Sequence, residues 1–588
     1  MAAPLRIANC SGFFGDRIAA AREMVDGGPI DVLTGDWLAE LTMFILSRTR
    51  ERRPDGGFAR TFVTQMEHVL GTCVDRGIKV VANAGGLDPA GCAVAVEKVA
   101  AALGVPARVA WVAGDDVVSR LAELQASGLA LAHLDTGEPF GDVADAVVTA
   151  NAYLGCWGIV DALERGADVV ITGRVTDAAV VIGPAAWHHG WQRTDWDPLA
   201  GAVVAGHVIE CGTQATGGNY SFFTELADLR HIGFPWAEIA ADGSFVVGKH
   251  DGTGGAVDVG TITSQLLYEI GGPRYANPDV VARFDTISLE QTGPDRVRVS
   301  GVRGEPAPAE VKLAINYVGG YRNSMSFALT GLDIEAKAAL VQSQLWAAFP
   351  DGAASFDSAD VCLVRSDQPD PATNELATAW LRVTVKDRDE AKVGRAFANA
   401  AVELGLASIP GFYGGSPPGG ASAYGVYWPT LIPASLVRHE VTVDGTTEFI
   451  ENTTVADGDR FVLPDDATPA TTLADGSTTV APLGTIIGAR SGDKGGAANV
   501  GLFARSAAAF EWLDAYLSEA RFRALLPNET DGLRVERHRF PNLWSLNFVI
   551  HGLLGRGVAE SSRQDAQAKS LGEYIRAKFV EIPVDLVR

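Results

Sequence analysis

The sequence predicts an α/β fold: an open, mostly parallel sheet with helices on both faces, followed by an α+β region and a small C-terminal α/β sandwich domain. Three observations carry this. Short β-branched runs alternate with helical segments from Leu5 to about Glu210, the pattern of repeated β-α units. After about Gly243 the apolar period changes to two, as in DRVRVSGVR and KLAINYVGG, which fits antiparallel strands. Finally, Ala456 to Val480 is poor in large apolar residues, and new strands begin near Leu483. The expected division is residues 1–242, 243–455, a linker at 456–480, and 481–588. At 588 residues the chain is too long for one core.

The first region reads in order as strand Leu5 to Asn9, helix Ile18 to Val25, strand Ile30 to Leu33, helices Leu38 to Arg52 and Phe58 to Arg76, and strand Ile78 to Ala82. Asp88 and Pro89 then mark a helix start, a carboxylate cap followed by a residue that needs no N–H partner. That helix runs to Leu103 and precedes strand Arg108 to Val112. A helix over Ala152 to Arg165, a stop at Gly166 and strand Val169 to Thr172 complete the pattern. If the strands are parallel, their polar C-terminal ends share one edge: Thr34 to Asp36, Asn83 to Gly86, Gly114 to Asp116, and Thr172 to Arg174. Open α/β sheets bind ligands at that edge.

Composition narrows the function class. The 47% hydrophobic and 20% charged content is that of a folded globular chain, and no apolar run reaches the roughly 20 residues of a membrane span. The N-terminus goes directly into a strand, so a cytoplasmic location is expected. A net charge of −24 opposes nucleic acid and anionic lipid. The segment from Ala481 differs, with 14 Lys and Arg against 12 Asp and Glu, and suits an anionic ligand better. Six scattered cysteines without a CxxC pair argue against structural zinc and against a disulfide framework. CSGFFGDR after the first strand is not GxGxxG, which disfavours a nicotinamide cofactor.

The candidate site is built around Asn151 to Asn219. Arg174, Asp177, Glu210 and Cys211 are the expected catalytic residues: a base or acid, an oxyanion or carboxylate holder, and a thiol. Asn83, Gly85, Gly86, Asp115, Asp116, Gln214, Gly217 and Gly218 are expected to bind substrate, the glycines by letting backbone approach it. Lys249 and His250 with the Gly252 to Gly255 turn are candidates for a cleft wall. The carboxylates could equally cap helices, and no metal site is expected. The Gly/Pro-rich run around Phe412, Tyr413, Tyr424, Tyr427 and Trp428 reads as a loop over an apolar substrate or as a subunit interface. In the C-terminal domain Arg490, Ser491, Asp493 and Lys494, with three glycines, read as an anion cradle between two strands.

The stretches ANAYLG, GADVVITGRVTDAA, AGHVIECGTQATGG, PDRVRVSG, ARSGDKGGAANVG and PNLWSLNFVIHGLLGRG resemble the acyclic terpene utilisation protein A family over nearly the whole chain. The resemblance implies a place in acyl-CoA catabolism of branched or terpenoid acids, near a biotin-dependent acyl-CoA carboxylase. It assigns no catalytic residue. The expected function is a hydratase or carbon–carbon lyase acting on a CoA thioester, with coenzyme A entering as part of the substrate and no tightly bound cofactor. The alternative is a non-catalytic partner of the carboxylase. A nucleotide-binding oxidoreductase rests on fold analogy alone. A homo-oligomer is expected from the glycine-rich aromatic segments.

Overall fold

The computed structural model describes residues 3–53, 56–417, 419–453 and 476–587. Contacts divide the chain into two compact units: Met1–Asn316 with Tyr427–Val558 and Gln567–Arg588, and Tyr317–Val426 with Ala559–Ala566. Most of the expected linker, up to residue 475, lies outside the described residues.

In chain order the first unit begins β1 (Leu5–Asn9), α1 (Ala20–Gly27), β2 (Val32–Gly35), α2 (Glu40–Arg52), α3 (Arg60–Arg76), β3 (Lys79–Ala82), α4 (Pro89–Leu103), β4 (Val109–Ala113) and α5 (Leu121–Ala126). It continues with β5 (Val147–Ala152), α6 (Trp157–Glu164), β6 (Val169–Thr172), α7 (Ala179–His189), α8 (Trp196–Ile209), β7 (Pro235–Ile239) and β8 (Phe245–Lys249). Asp88 caps α4 as its sequence suggests, accepting from Gly91 N–H at 2.8 Å.

The strands β1, β2, β3, β6 and β4 pair in parallel in that order, so the four polar strand ends do share one edge. The sheet is nevertheless mixed and not mostly parallel. Antiparallel strands extend it on both sides: β7, β8, Arg296–Ser300 and Ser288–Gly293 beyond β1, and Arg438–Val443 and Thr446–Glu451 beyond β4. The reason is connectivity: these strands come in hairpins, and short connections can only make antiparallel neighbours. On one face α1, α3 and α4 bury Met24, Phe62, Met66 and Val96 against Leu33, Val80 and Ile171.

One local expectation changes. Asn151 and Ala152 end a strand, β5, and the helix starts only at Trp157. Pro184 lies inside α7. A helical proline leaves the carbonyl four residues back without its N–H donor. The Thr34 hydroxyl meets that carbonyl, Val180 O, at 3.4 Å.

The C-terminal part of the same unit is a four-stranded antiparallel sheet in the order Ile487–Lys494, Ala497–Ala504, Ser545–Ile550, Val535–Phe540. Its core packs Val500, Leu502, Leu546 and Phe548 against Leu513, Phe522 and Ile575. Arg490 to Lys494 therefore belong to a strand, and only Gly495 and Gly496 form the turn. The second unit is an antiparallel sheet of Ser358–Val364, Thr378–Asp387 and the end of Glu310–Thr330, with helices Ile334–Trp346 and Phe397–Ala407 on it. The aromatic run expected as a loop is largely strand, Phe412–Gly414 and Ser422–Pro433. Among the described residues no helix is long and apolar enough to cross a membrane.

Candidate active site

The site grows from the last turn of α8. His207 and Glu210 stand three residues apart, so both project from one face of that turn. Glu210 is only 7% exposed, and its Oε1 lies 3.6 Å from His207 Nδ1. His207 Nε2 sits 3.2 Å from the Gln265 carbonyl oxygen, which can only accept; Nε2 therefore carries the ring proton and Nδ1 the lone pair. Burial holds His207 down to about 4, with Lys494 adding to the effect, so the ring is neutral.

Glu210 is pushed well above the usual carboxylate range, first by burial and then by Asp177, Asp36 and Glu269; Arg174 pulls the other way. Asp36 rises to about 7, from burial and then Asp177, against the opposing charge of Arg174 and hydrogen bonds from Asn83 and Leu38 N–H. Asp36, Asp177 and Glu210 thus share the charge of one buried guanidinium, and Glu269 adds its own charge at Glu210. Burial and like charge favour protonated forms here.

Arg174 itself is 3% exposed. It pairs with Asp177 Oδ1 at 2.9 Å, donates to the Leu38 carbonyl and lies over the Tyr153 ring at 4.1 Å. Its backbone N–H donates to Asp115 Oδ2 at 2.9 Å, and Asn151 Nδ2 donates to the same oxygen at 2.8 Å. Burial takes Asp115 up to about 7. Asp115 is thus a brace behind Arg174. Asp116 is exposed and accepts from Val118 N–H at 3.0 Å, a turn cap.

Cys211 adjoins Glu210, and burial followed by the charges of Glu210 and Glu269 raises its thiol well above its usual range. A thiol so placed stays protonated, which suits a proton donor better than a nucleophile. Tyr275 is raised by burial, Glu210 and Asp177, and so faces the same cluster.

Several expected binding residues do other work. Asn83 is fully buried; its Oδ1 accepts from Trp37 N–H at 2.8 Å and its Nδ2 donates to Asp36. It orients a site carboxylate. Gly85 donates its N–H to Thr172 O, and a Cβ there would sit 2.6 Å from that oxygen. Gly86 abuts Leu46, Gly217 abuts Leu226, and Gly218 abuts Thr213. These glycines pack closely against the chain itself. Lys249 reaches the same sheet edge two strands beyond β1, where it pairs with Asp295 at 2.9 Å and the Thr253 carbonyl at 2.8 Å. His250 bonds the Met24 carbonyl at 2.9 Å against Gly27 and Gly28.

The C-terminal sheet enters the site directly. Arg490, 6% exposed, donates to Gln214 Oε1 and lies 4.1 Å over the Tyr268 ring. Ser491 Oγ accepts from Gly572 N–H at 2.9 Å inside its own domain. Asp493 is partly buried on the same strand, and Lys494 donates to the Glu269 carbonyl at 3.0 Å. The expected cradle is instead a strand that joins two sheets. The structure brings together Arg174, Asp177, Glu210 and Cys211, which the sequence groups, and adds His207, Glu269 and Tyr275, which it does not. HVIE, with His and Glu on one helical face, was the available signal for the first.

Residues 5–443 match the model of the acyclic terpene utilisation family protein AtuA. The chain belongs to the AtuA family. Residues 481–581 match the AtuA ferredoxin-like domain, the sheet that carries Arg490. No curated protein matches this AtuA-family chain. Among its described residues no three His, Cys, Asp or Glu side chains are arranged to hold a metal ion.

Proposed function

We propose that this AtuA-family protein is an acid–base enzyme acting on the CoA thioester of a branched, isoprenoid-type acid, as a hydratase or carbon–carbon lyase. The observation that supports it is the burial of Glu210 3.6 Å from His207 and among carboxylates whose charge, with burial, favours its protonated form. Both reactions need a proton delivered to or taken from carbon or oxygen next to a thioester carbonyl, and a carboxylic acid kept neutral near pH 7 is suited to that step. In dehydration Glu210 gives its proton to the departing hydroxyl while the lone pair of His207 Nδ1 takes the proton from the carbon next to the thioester carbonyl, so that water leaves and the carbon–carbon double bond forms; hydration reverses both transfers. Arg174 holds Asp177 in place. The CoA thioester is the substrate class implied by the family's part in acyclic terpene utilisation.

The test is titration with free CoA and with short, branched and isoprenoid acyl-CoA thioesters, each mixture then weighed by mass spectrometry. A mass change of 18 or a split acyl chain, lost in Glu210→Gln, supports the reading (~18 being one water added or removed). Binding without a mass change replaces it with the non-catalytic carboxylase partner, checked by retention of the carboxylase on immobilised protein.

A further inference from the structure

The segment Leu267 to Gly271, just after helix Val259–Leu266, is held by the C-terminal sheet through side chains alone. Asn499 Nδ2 donates to the Leu267 carbonyl at 2.7 Å, and Asn499 Oδ1 accepts from Glu269 N–H at 2.9 Å. Asn547 Nδ2 donates to the Ile270 and Gly271 carbonyls at 3.0 and 2.7 Å. The two asparagines bond each other at 3.0 Å, and Lys494 Nζ adds a bond to the Glu269 carbonyl. Both are completely buried in mid-strand, where an apolar residue would be expected.

The sheet is also shaped for this segment. A Cβ on Gly492 would meet the Tyr268 ring at 2.4 Å, and one on Gly501 would meet Leu267 Cβ at 2.5 Å. Glu269 itself sits at φ 56°, a left-handed conformation unfavourable for a glutamate and sustained only where its surroundings impose it. The Tyr268 hydroxyl bonds Glu269, and the charge of Glu269 is felt at Glu210, Cys211 and Tyr275.

We propose that Glu269 is a second proton-transfer carboxylate of the site, working with Glu210, and that Asn499 and Asn547 are the residues that position it. The C-terminal domain then completes the acid–base machinery. The proton-transfer role rests on the function proposed above; the positioning role does not.

Cys211 serves as a built-in reporter, because carboxylate charge beside a thiol suppresses its thiolate. Iodoacetamide labelling of the full chain at pH 8, read at the Cys211 peptide by mass spectrometry, measures it without substrate. Glu269→Gln is expected to speed labelling by about 3–10-fold, and Asn499→Ala to match it by letting Glu269 leave. An unchanged rate in Glu269→Gln overturns the placement of Glu269. A faster rate in Glu269→Gln with a wild-type rate in folded Asn499→Ala overturns the positioning role. Asn547→Ser, which removes the two bonds to the Ile270 and Gly271 carbonyls without changing charge, replaces Asn499→Ala if that variant does not fold. On a turned-over thioester, Glu269→Gln is expected to remove one limb of the pH–rate profile; an unaltered profile with Glu210→Gln inactive overturns the proton-transfer role alone. If no thioester is turned over, that role falls with the proposed function, while labelling still decides the positioning.

Discussion

His207 Nδ1 and Glu210 Oε1 face each other at 3.6 Å inside the protein. The ring turns its lone pair to the carboxyl, because its single proton points to the Gln265 carbonyl. Burial and the neighbouring carboxylates favour the undissociated form of Glu210. The infrared difference spectrum of wild type minus Glu210→Gln at pH 7 is expected to show a protonated-carboxyl C=O band. A pair of carboxylate bands in its place would mean that Glu210 is ionised.

Asp36 gives a stability prediction of definite sign. Its folded value of about 7 lies above that of an unfolded aspartate, so between about pH 4 and 7 the folded chain binds a proton that the unfolded chain has lost. That contribution is complete below pH 4 and is lost as pH rises through 7. Asp36→Asn keeps an oxygen acceptor for Asn83 and Leu38 N–H but removes the titration. Relative to wild type it should gain about 4 kcal/mol between pH 4 and pH 8. Urea unfolding at the two pH values checks this, and a gain on acidification would contradict it.

Arg490 ties the C-terminal sheet to the turn after α8 through Gln214 and Tyr268. Arg490→Met keeps much of the side-chain volume but loses the charged bond and the ring contact. A destabilisation of about 2–3 kcal/mol is expected. Guanidinium unfolding followed by tryptophan fluorescence measures it; a cost near zero would make the contact incidental.

Gly12, after β1, would place a Cβ 2.7 Å from the backbone carbon of Cys211. Backbone cannot swing aside as a side chain can, so Gly12→Ala should push the Cys211 turn outward and cost about 1–3 kcal/mol. Thermal unfolding reads the cost. Gly190→Ala, with open space around it at a helix end, is the comparison for backbone conformation alone.

The elements were legible because their signals are local. The cap at Asp88, the span of α4 and the strand Val169–Thr172 follow from short-range chemistry and apolar period, and the shared edge follows from four strands being parallel. The helix expected from Ala152 starts instead at Trp157, because the apolar run Ala152 to Trp157 that joins strand to helix contains no proline or polar cap to mark the boundary. The hairpin strands that make the sheet mixed could be recognised as antiparallel, but not assigned to this sheet.

By itself, then, the sequence determined the α/β class, family membership, and the grouping of Arg174, Asp177, Glu210 and Cys211, since these lie within 38 residues on consecutive elements of one edge. Only the tertiary structure decided that Asp36 and Glu269 join them, that the glycines pack against distant stretches of the chain, and that Asn499 and Asn547 reach across 230 or more residues to hold one loop. Protonation here depends on burial and on the distance between like charges. Both are properties of the folded arrangement and of no single stretch of chain.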